Sequence, residues 1–436
     1  MRLLLLMCFA LLVSLVGIRV AEFVVGTWVY ERSGSATQFS LVFLFLIVPA
    51  IFLTPVGGVL ADRWGRRALI VAANFASALT AAALAAVAMA GRLEVWHVYV
   101  SAFLIAAFSA LQWPAFTASI SLLVRKDQLT RANGLVLFVH SVAQIVAPIL
   151  GGALALSITL QSVIAFELAA LLVAVAVYAC IALPMPVKRE PGPASRVLPW
   201  SDFMFGWRYI RSRPSLQGLA LFYIVNCFFT GIVTVLAIPM VLAFSSKAVL
   251  GAIMSISGVG MVLGSLYTGV RKRPANLIAS LIVFQALAGA AILFAGVTVS
   301  VAVVMTATFC FFFSGAVVTS YYEAIWQEAV EPQVQGRVFS VRHSATMFSL
   351  LLAYIVAGPL ADHVFEPLLV GGGRLSGSVG ALIGSGIGRG IGLLFIVLGC
   401  STILGACVAW LSSKLAELRG SHDGSLGGRI DVTGPA

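Results

Sequence analysis

The chain has 436 residues, of which 61% are hydrophobic and 10% charged, and its mean hydropathy is +1.05. An ordinary soluble domain is about half apolar and about a quarter charged, so these residues cannot cover a water-facing surface and a soluble multidomain enzyme is excluded. The net charge of +11 does not call for nucleic acid either, because the basic residues sort by side of a membrane, as the elements below predict.

A spanning helix takes roughly 20 apolar residues, and six such stretches precede a polar middle, near 3–30, 38–61, 68–91, 95–123, 133–157 and 160–184. The first begins like a signal peptide, with Arg2 before an apolar run, but the run continues past Arg19 and Glu22 to Trp28 and Tyr30 and predicts a retained span. Pro184 to Arg213 is the hydrophilic middle, with Pro184, Pro186, Pro191, Pro193 and Pro199 stiffening its first part. Its second part sets Phe203, Trp207 and Ile210 at helical spacing opposite Arg208 and Arg211, as an interfacial helix or as a plain connector. Six more spans follow, near 215–244, 247–270, 275–297, 299–325, 338–366 and 388–413.

The domains expected are therefore an N-terminal six-helix bundle (1–184), a linker (185–214), a C-terminal six-helix bundle (215–414) and a tail (415–436). Threaded this way, Arg32, Arg92, Lys247, Arg374 and Arg389 fall on one side, Arg19 falls inside, and the rest of the 27 Lys and Arg fall on the other. This is the positive-inside asymmetry, and it predicts a multi-pass membrane protein with both termini in the cytoplasm. Val124–Gly152 and Val330–Pro359 resemble one another, each passing an arginine (Arg131, Arg337) into a helix with a later proline (Pro148, Pro359), as duplicated transporter halves do. The glycine-rich stretch Gly371–Gly390 reads as a long flexible loop. The six cysteines form no CxxC pair and read as small core residues, so no zinc site, disulfide framework or other metal site is predicted.

Between spans two and three stands Gly58-Val-Leu-Ala-Asp62-Arg63-Trp-Gly65-Arg66-Arg67. It matches the G-x-x-x-D-R-x-G-R-R loop of the major facilitator superfamily at every defined position, and the chain resembles that family. In physical terms, Gly58 lets span two approach a neighbour closely. Asp62 suits a helix N-terminus, an interaction of roughly 0.3–2 kcal/mol and so a lock able to open in every cycle. Span five, with Gly134, Ala143, Ala147, Pro148, Gly151 and Gly152, is similar to the family's antiporter motif, with alanine at two of its glycine positions. Arg125–Asn133, Gly336-Arg337-Val-Phe, Gly358-Pro359-Leu-Ala-Asp362 and Gly388-Arg389-Gly390 resemble the macrolide-efflux and enterobactin-exporter branch.

The resemblance implies an all-α membrane protein with twelve transmembrane helices in two six-helix bundles. It also implies export of an antibiotic, siderophore or similar natural product across a bacterial inner membrane by exchange for protons; no cofactor is expected, and the chain is expected to act as a monomer. Span four carries no arginine, unlike some other drug antiporters, so coupling has to be sought elsewhere. Ionisable groups at a helix centre cost roughly 2.5–3.5 kcal/mol on insertion, which singles out Arg19, Glu22 and Glu167. Glu22 and Glu167 lie roughly 12 and 10 Å from the outer ends of their helices at 1.5 Å per residue. They nominate Glu22 as proton carrier, Arg19 as its tuning partner and Glu167 as a competitor for that arginine, against a fixed ion pair.

If spans one, four, seven and ten line the cavity, as the family fold implies, its wall includes Trp113, Tyr223, Asn226, Tyr321, Tyr322 and Glu323, with His140 and Gln144 nearby. Rings offer apolar surface to varied ligands and an acid attracts a cation; the same rings also serve as packing or interfacial anchors. No HExxH, GxSxG or GxxxxGK[ST] pattern is present, so enzyme chemistry and ATP drive are not predicted. A proton-coupled importer and a transporter-like sensor share the fold and remain alternatives.

Overall fold

Backbone N–H and C=O groups find no partner in hydrocarbon, so a chain this apolar pairs them within helices. The computed structural model describes residues 2–124, 128–157, 159–181, 200–331, 333–370 and 372–412, and among them there is no strand. Six long helices make the first bundle: α1 (Arg2–Ser33), α2 (Ala36–Trp64), α3 (Arg66–Met89), α4 (Val95–Leu123), α5 (Leu129–Ser157) and α6 (Leu160–Cys180). A short helix, α7 (Trp200–Arg211), leads into the second: α8 (Pro214–Leu242), α9 (Lys247–Val270), α10 (Leu277–Val297), α11 (Val301–Ala329) and α12 (Gln335–Pro359). A wide π-helical turn (Leu360–Phe365), α13 (Glu366–Leu369), α14 (Val379–Ile383) and α15 (Arg389–Leu411) complete it. Twelve of these helices are long and apolar enough to cross a membrane.

Within the first bundle α1 packs on α5 and α6, α2 on α4, and α3 on α4 and α6; within the second α10 packs on α11 and α15, α9 on α11, and α8 on α12. Two seams join the bundles, α5 against α9 and α2 against α12. The fifth span of each half thus meets the second span of the other, the arrangement that the likeness between Val124–Gly152 and Val330–Pro359 anticipates.

The alternating helices give the molecule a basic end, with Arg63, Arg66, Arg67, Arg271, Lys272, Arg273 and Arg337, and a far end, with Arg32 and Lys247. At the basic end the apolar cores are separate: Leu4, Met7, Ile70, Phe116 and Tyr178 in one bundle, Leu216, Leu281, Tyr322 and Trp326 in the other. At the far end one core runs through both, from Val20, Phe23 and Phe39 to Leu236, Ile253, Ala353 and Phe395. The bundles are therefore closed on each other at the far end and apart at the basic end.

Three expectations change. The stretch expected as a flexible loop, Gly371–Gly390, is ordered over its described residues 372–390: α14 lies in it, Glu366 accepts the Gly388 N–H, and Arg389 donates to the carbonyls of Gly296 and Val297 at 3.1 Å each. The α7 helix rests on α12, with Gly206 against the Arg337 backbone and Ile210 in the second bundle's core, so part of its apolar face meets protein. Of the six free cysteines only Cys8 is buried, and Cys180, Cys400 and Cys407 lie exposed on the bundle surface. The polar residues 185–199 and the tail 415–436 lie outside the described residues.

Candidate functional site

One turn apart on α1, Arg19 and Glu22 share a face, and Arg19 Nη1 donates to Glu22 Oε2 at 2.9 Å. Two cavities meet at this pair. The first, of about 290 Å³, is lined by Leu11, Ser14, Asn74, Ser77, Trp113 and His140 as well as the pair. The second, of about 380 Å³, lies between the bundles, where Phe23, Phe43 and Ile47 face Ile238 and Tyr354. Trp113 meets the His140 ring edge-on at 5.2 Å, which brings α4 and α5 together beside the ion pair.

Glu167 of α6 is 3% exposed. It shares a small apolar cavity with Glu22, Ile18, Val25 and Ser101. Helices α1 and α6 come this close because Gly17 has no side chain; a Cβ there would stand 2.5 Å from that of Ala170. Arg19 bonds Glu22 and not Glu167, and among the described residues the Glu167 carboxyl has neither ion pair nor hydrogen bond. The site therefore holds two acids and one base, with a single ion pair between them.

Beyond the pair toward the far end, rings close the gap. Tyr30 meets Phe39 at 6.2 Å, Phe39 meets Phe43 at 5.4 Å, and Phe43 of α2 meets Tyr354 of α12 at 5.9 Å. Small residues close the other seam: a Cβ on Gly251 would lie 2.6 Å from the Pro148 carbonyl, and one on Gly152 would lie 3.1 Å from Gly251 Cα. Gly151 packs on the Phe23 ring. Gly134, nearer the basic end, faces no neighbour within 4 Å.

In the loop between α2 and α3, Gly65 has φ +85°, a conformation that L side chains resist. Arg66 donates to the Ala118 carbonyl at 2.6 Å and Arg67 to that of Ala179, so the loop is pinned to α4 and α6, while Arg63 is exposed. The close approach expected of Gly58 belongs instead to Gly57: a Cβ on Gly58 meets nothing within 4 Å, whereas one on Gly57 would stand 2.6 Å from the Leu111 carbonyl of α4. The Asp62 side chain lies outside the described residues.

The second bundle corrects the expected cavity wall. Tyr322 is 1% exposed, stacked on Tyr223 at 3.7 Å. Tyr321 is buried against Phe284, and Asn226 is buried with its Oδ1 taking a 2.8 Å hydrogen bond from Gln285. Asn226, Tyr321 and Tyr322 are therefore core residues of that bundle. Tyr223 and Glu323 retain exposure. Glu323 is held by Arg342 of α12, whose Nη2 lies 2.7 Å from both carboxylate oxygens. Sequence reasoning passed over Arg342, although an arginine inside a predicted span is the signal that singled out Arg19.

A model of the Major Facilitator Superfamily matches residues 7–354. The chain belongs to this superfamily. An uncharacterised MFS-type transporter, YfiS of Bacillus subtilis (strain 168), is 25% identical over 403 residues, covering 89% of this chain and 88% of its own. Macrolide efflux protein A of Streptococcus pyogenes is 25% identical over 366 residues, 81% of this chain and 87% of its own. Among solved structures, a bacterial homologue of the human lysosomal transporter Spinster, in an inward-facing and unoccupied conformation, superimposes with a TM-score of 0.67. It shares 14% identity over 96% of this chain and 98% of its own. The superfamily member described here is thus a membrane transporter and not an enzyme.

Proposed function

We propose that this chain exports small amphipathic compounds from the bacterial cytoplasm in exchange for protons, acting as a monomer in the inner membrane. The observation that carries the reading is the Arg19–Glu22 ion pair, set beside buried Glu167 at the meeting point of two cavities and below a closed far end. Placing the basic end in the cytoplasm follows the positive-inside rule, and the cavity between the bundles then opens inward. An amphipathic cargo suits its wall, where rings and aliphatic side chains surround one charged pair. The direction of transport is taken from the relative named for macrolide efflux, and an antibiotic, siderophore or similar natural product is the cargo class.

In the proposed cycle Glu22 carries the proton. Paired with Arg19, its carboxylate is compensated in a medium where an uncompensated charge is costly. A cargo or a tilt of the bundles that draws Arg19 away removes that compensation, and the carboxylate takes a proton. Glu167, in the same small cavity, is the alternative partner for the released arginine. Asp62, Arg63, Arg66 and Arg67 hold the basic end in the opposite state.

The test is accumulation of a macrolide or a lipophilic dye in energised inverted vesicles. The expected result is uptake that collapses with a protonophore and is lost in Glu22→Gln. Protonophore-sensitive uptake at the wild-type rate in Glu22→Gln would sink the coupling role, and uptake indifferent to the protonophore would sink proton exchange.

A further inference from the structure

We propose that Asp362 is the latch that holds the far end shut, and that the five-residue element carrying it occurs twice in the chain so that each end has one. At the N-terminus of α2 the first N–H groups have no acceptor within the helix. The Ser35 hydroxyl caps one of them, at Gln38. Those of Ala36 and Thr37 are left over, and their acceptor comes from the other bundle: Asp362 takes both, at 3.0 and 2.8 Å. It also accepts from the Ser35 and Thr37 hydroxyls at 2.7 Å each. A carboxylate at the positive end of a helix, with charge-assisted hydrogen bonds to two backbone and two side-chain donors, is a strong and directional contact.

The backbone around Asp362 is built for this reach. Gly358 lies directly on Thr37 and Ser40, and any side chain there would collide with them. Pro359 then interrupts α12, and the wide turn Leu360–Phe365 that follows presents Asp362 across the seam. All four hydrogen bonds cross between bundles, so they are made together and broken together. Beside them Lys247 pairs with Glu31 at 2.8 Å, a second tie between the bundles at the same end.

The sequence Gly358-Pro-Leu-Ala-Asp362 differs at one position from Gly58-Val-Leu-Ala-Asp62. The second runs through the last turns of α2 at the basic end, and the first passes from the last residues of α12 into the wide turn at the far end. The α2 helix thus takes part twice: it receives Asp362 at its start and bears Asp62 near its finish. A tilt of one bundle that releases the first element is the motion that brings the second toward its neighbour, and the same small residue and acid then serve both closed states.

The experiment places spin labels at Arg32→Cys on one bundle and Arg374→Cys on the other, both exposed, in a chain whose six native cysteines are replaced. Distances are recorded in lipid nanodiscs without cargo or proton gradient. The expected result is a dominant short distance in the parent. In Asp362→Ala and Asp362→Asn the ratio of long to short distances should rise at least about tenfold. Ser35→Ala/Thr37→Val, which removes two donors and leaves the carboxylate, should shift the ratio in the same direction by less. A parent-like distribution in both Asp362 variants overturns the latch. If Asp362→Ala does not give folded, monodisperse protein, Asp362→Asn and the donor variant decide, and no shift in either overturns it. Because neither cargo nor gradient is present, failure here leaves proton-driven export standing, and failure of export leaves the latch standing.

Discussion

The Arg342 guanidinium reaches both oxygens of the Glu323 carboxylate through a single nitrogen, Nη2, and leaves Nη1 buried without a hydrogen-bond partner. Three rings surround it, with centroids 5.0 Å away at Tyr322, 5.4 Å at Trp326 and 4.8 Å at Phe339. The arginine is 8% exposed while the Glu323 side chain is 41% exposed, so the pair is lopsided: water compensates the acid but not the base. Breaking a fully buried pair costs about 3–5 kcal/mol, and the half-exposed acid places this one lower. Glu323→Gln should destabilise the protein by about 2 kcal/mol, read as a lower Tm in detergent, and Glu323→Gln/Arg342→Met should recover most of it. A single variant as stable as the parent would remove the pair from any structural role.

The Arg19–Glu22 pair makes a different prediction, because both partners reach a cavity. Glu22→Gln should leave Tm nearly unchanged and lower proton-driven export at least tenfold, equivalent to about 1.4 kcal/mol. Glu167→Gln breaks no ion pair and should cost less activity. Transport assays of both variants in inverted vesicles, run beside thermal unfolding, check the order; a larger loss in Glu167→Gln would move the proton carrier to α6.

At the seam of α5 and α9 the backbones pass so closely that a side chain on Gly251 meets the Pro148 carbonyl. Gly251→Val should therefore pry the far end apart while each bundle stays folded. The expected signature, with the native cysteines replaced, is labelling of a far-end cysteine at Ala36→Cys, a position 2% exposed, by a membrane-impermeant maleimide at a rate raised several-fold over the parent. An unchanged rate would mean that the seam yields by other means.

The buried hydrogen bond from Gln285 to Asn226 ties α10 to α8. Such bonds between membrane helices contribute about 0.6–1.7 kcal/mol, and Gln285→Leu should destabilise by that order. The check is reversible unfolding in mixed micelles, with Asn226→Leu/Gln285→Leu less destabilised than the sum of the two single changes.

The spans were legible because the bilayer imposes a length, and a run of apolar residues displays it directly. Arg19 and Glu22 were legible for the converse reason, as charges where lipid admits few. Glu167 was visible as a charge, but its burial beside Glu22 depends on Gly17 and Ala170 letting α1 and α6 meet, which no single span reveals. The wall of the second bundle was misjudged because Asn226 of α8 and Tyr321 and Tyr322 of α11 sit on helices expected to line the cavity yet point into the bundle's core; periodicity gives the faces of a helix but not which neighbour claims each. Gly57 and Gly58 illustrate the same gap over one residue. Asp362 stands 327 positions from Ser35, and only the assembled bundles bring a carboxylate to that helix start.

The single apolar core that runs through both bundles at the far end has a thermal consequence. Opening that end hydrates its apolar surface, whereas the faces brought together at the basic end carry arginines, so the two closed states bury different kinds of surface and should differ in heat capacity. Apolar association weakens on cooling. A cold membrane should therefore hold more of these molecules open at the far end than a warm one, quite apart from any change in lipid fluidity.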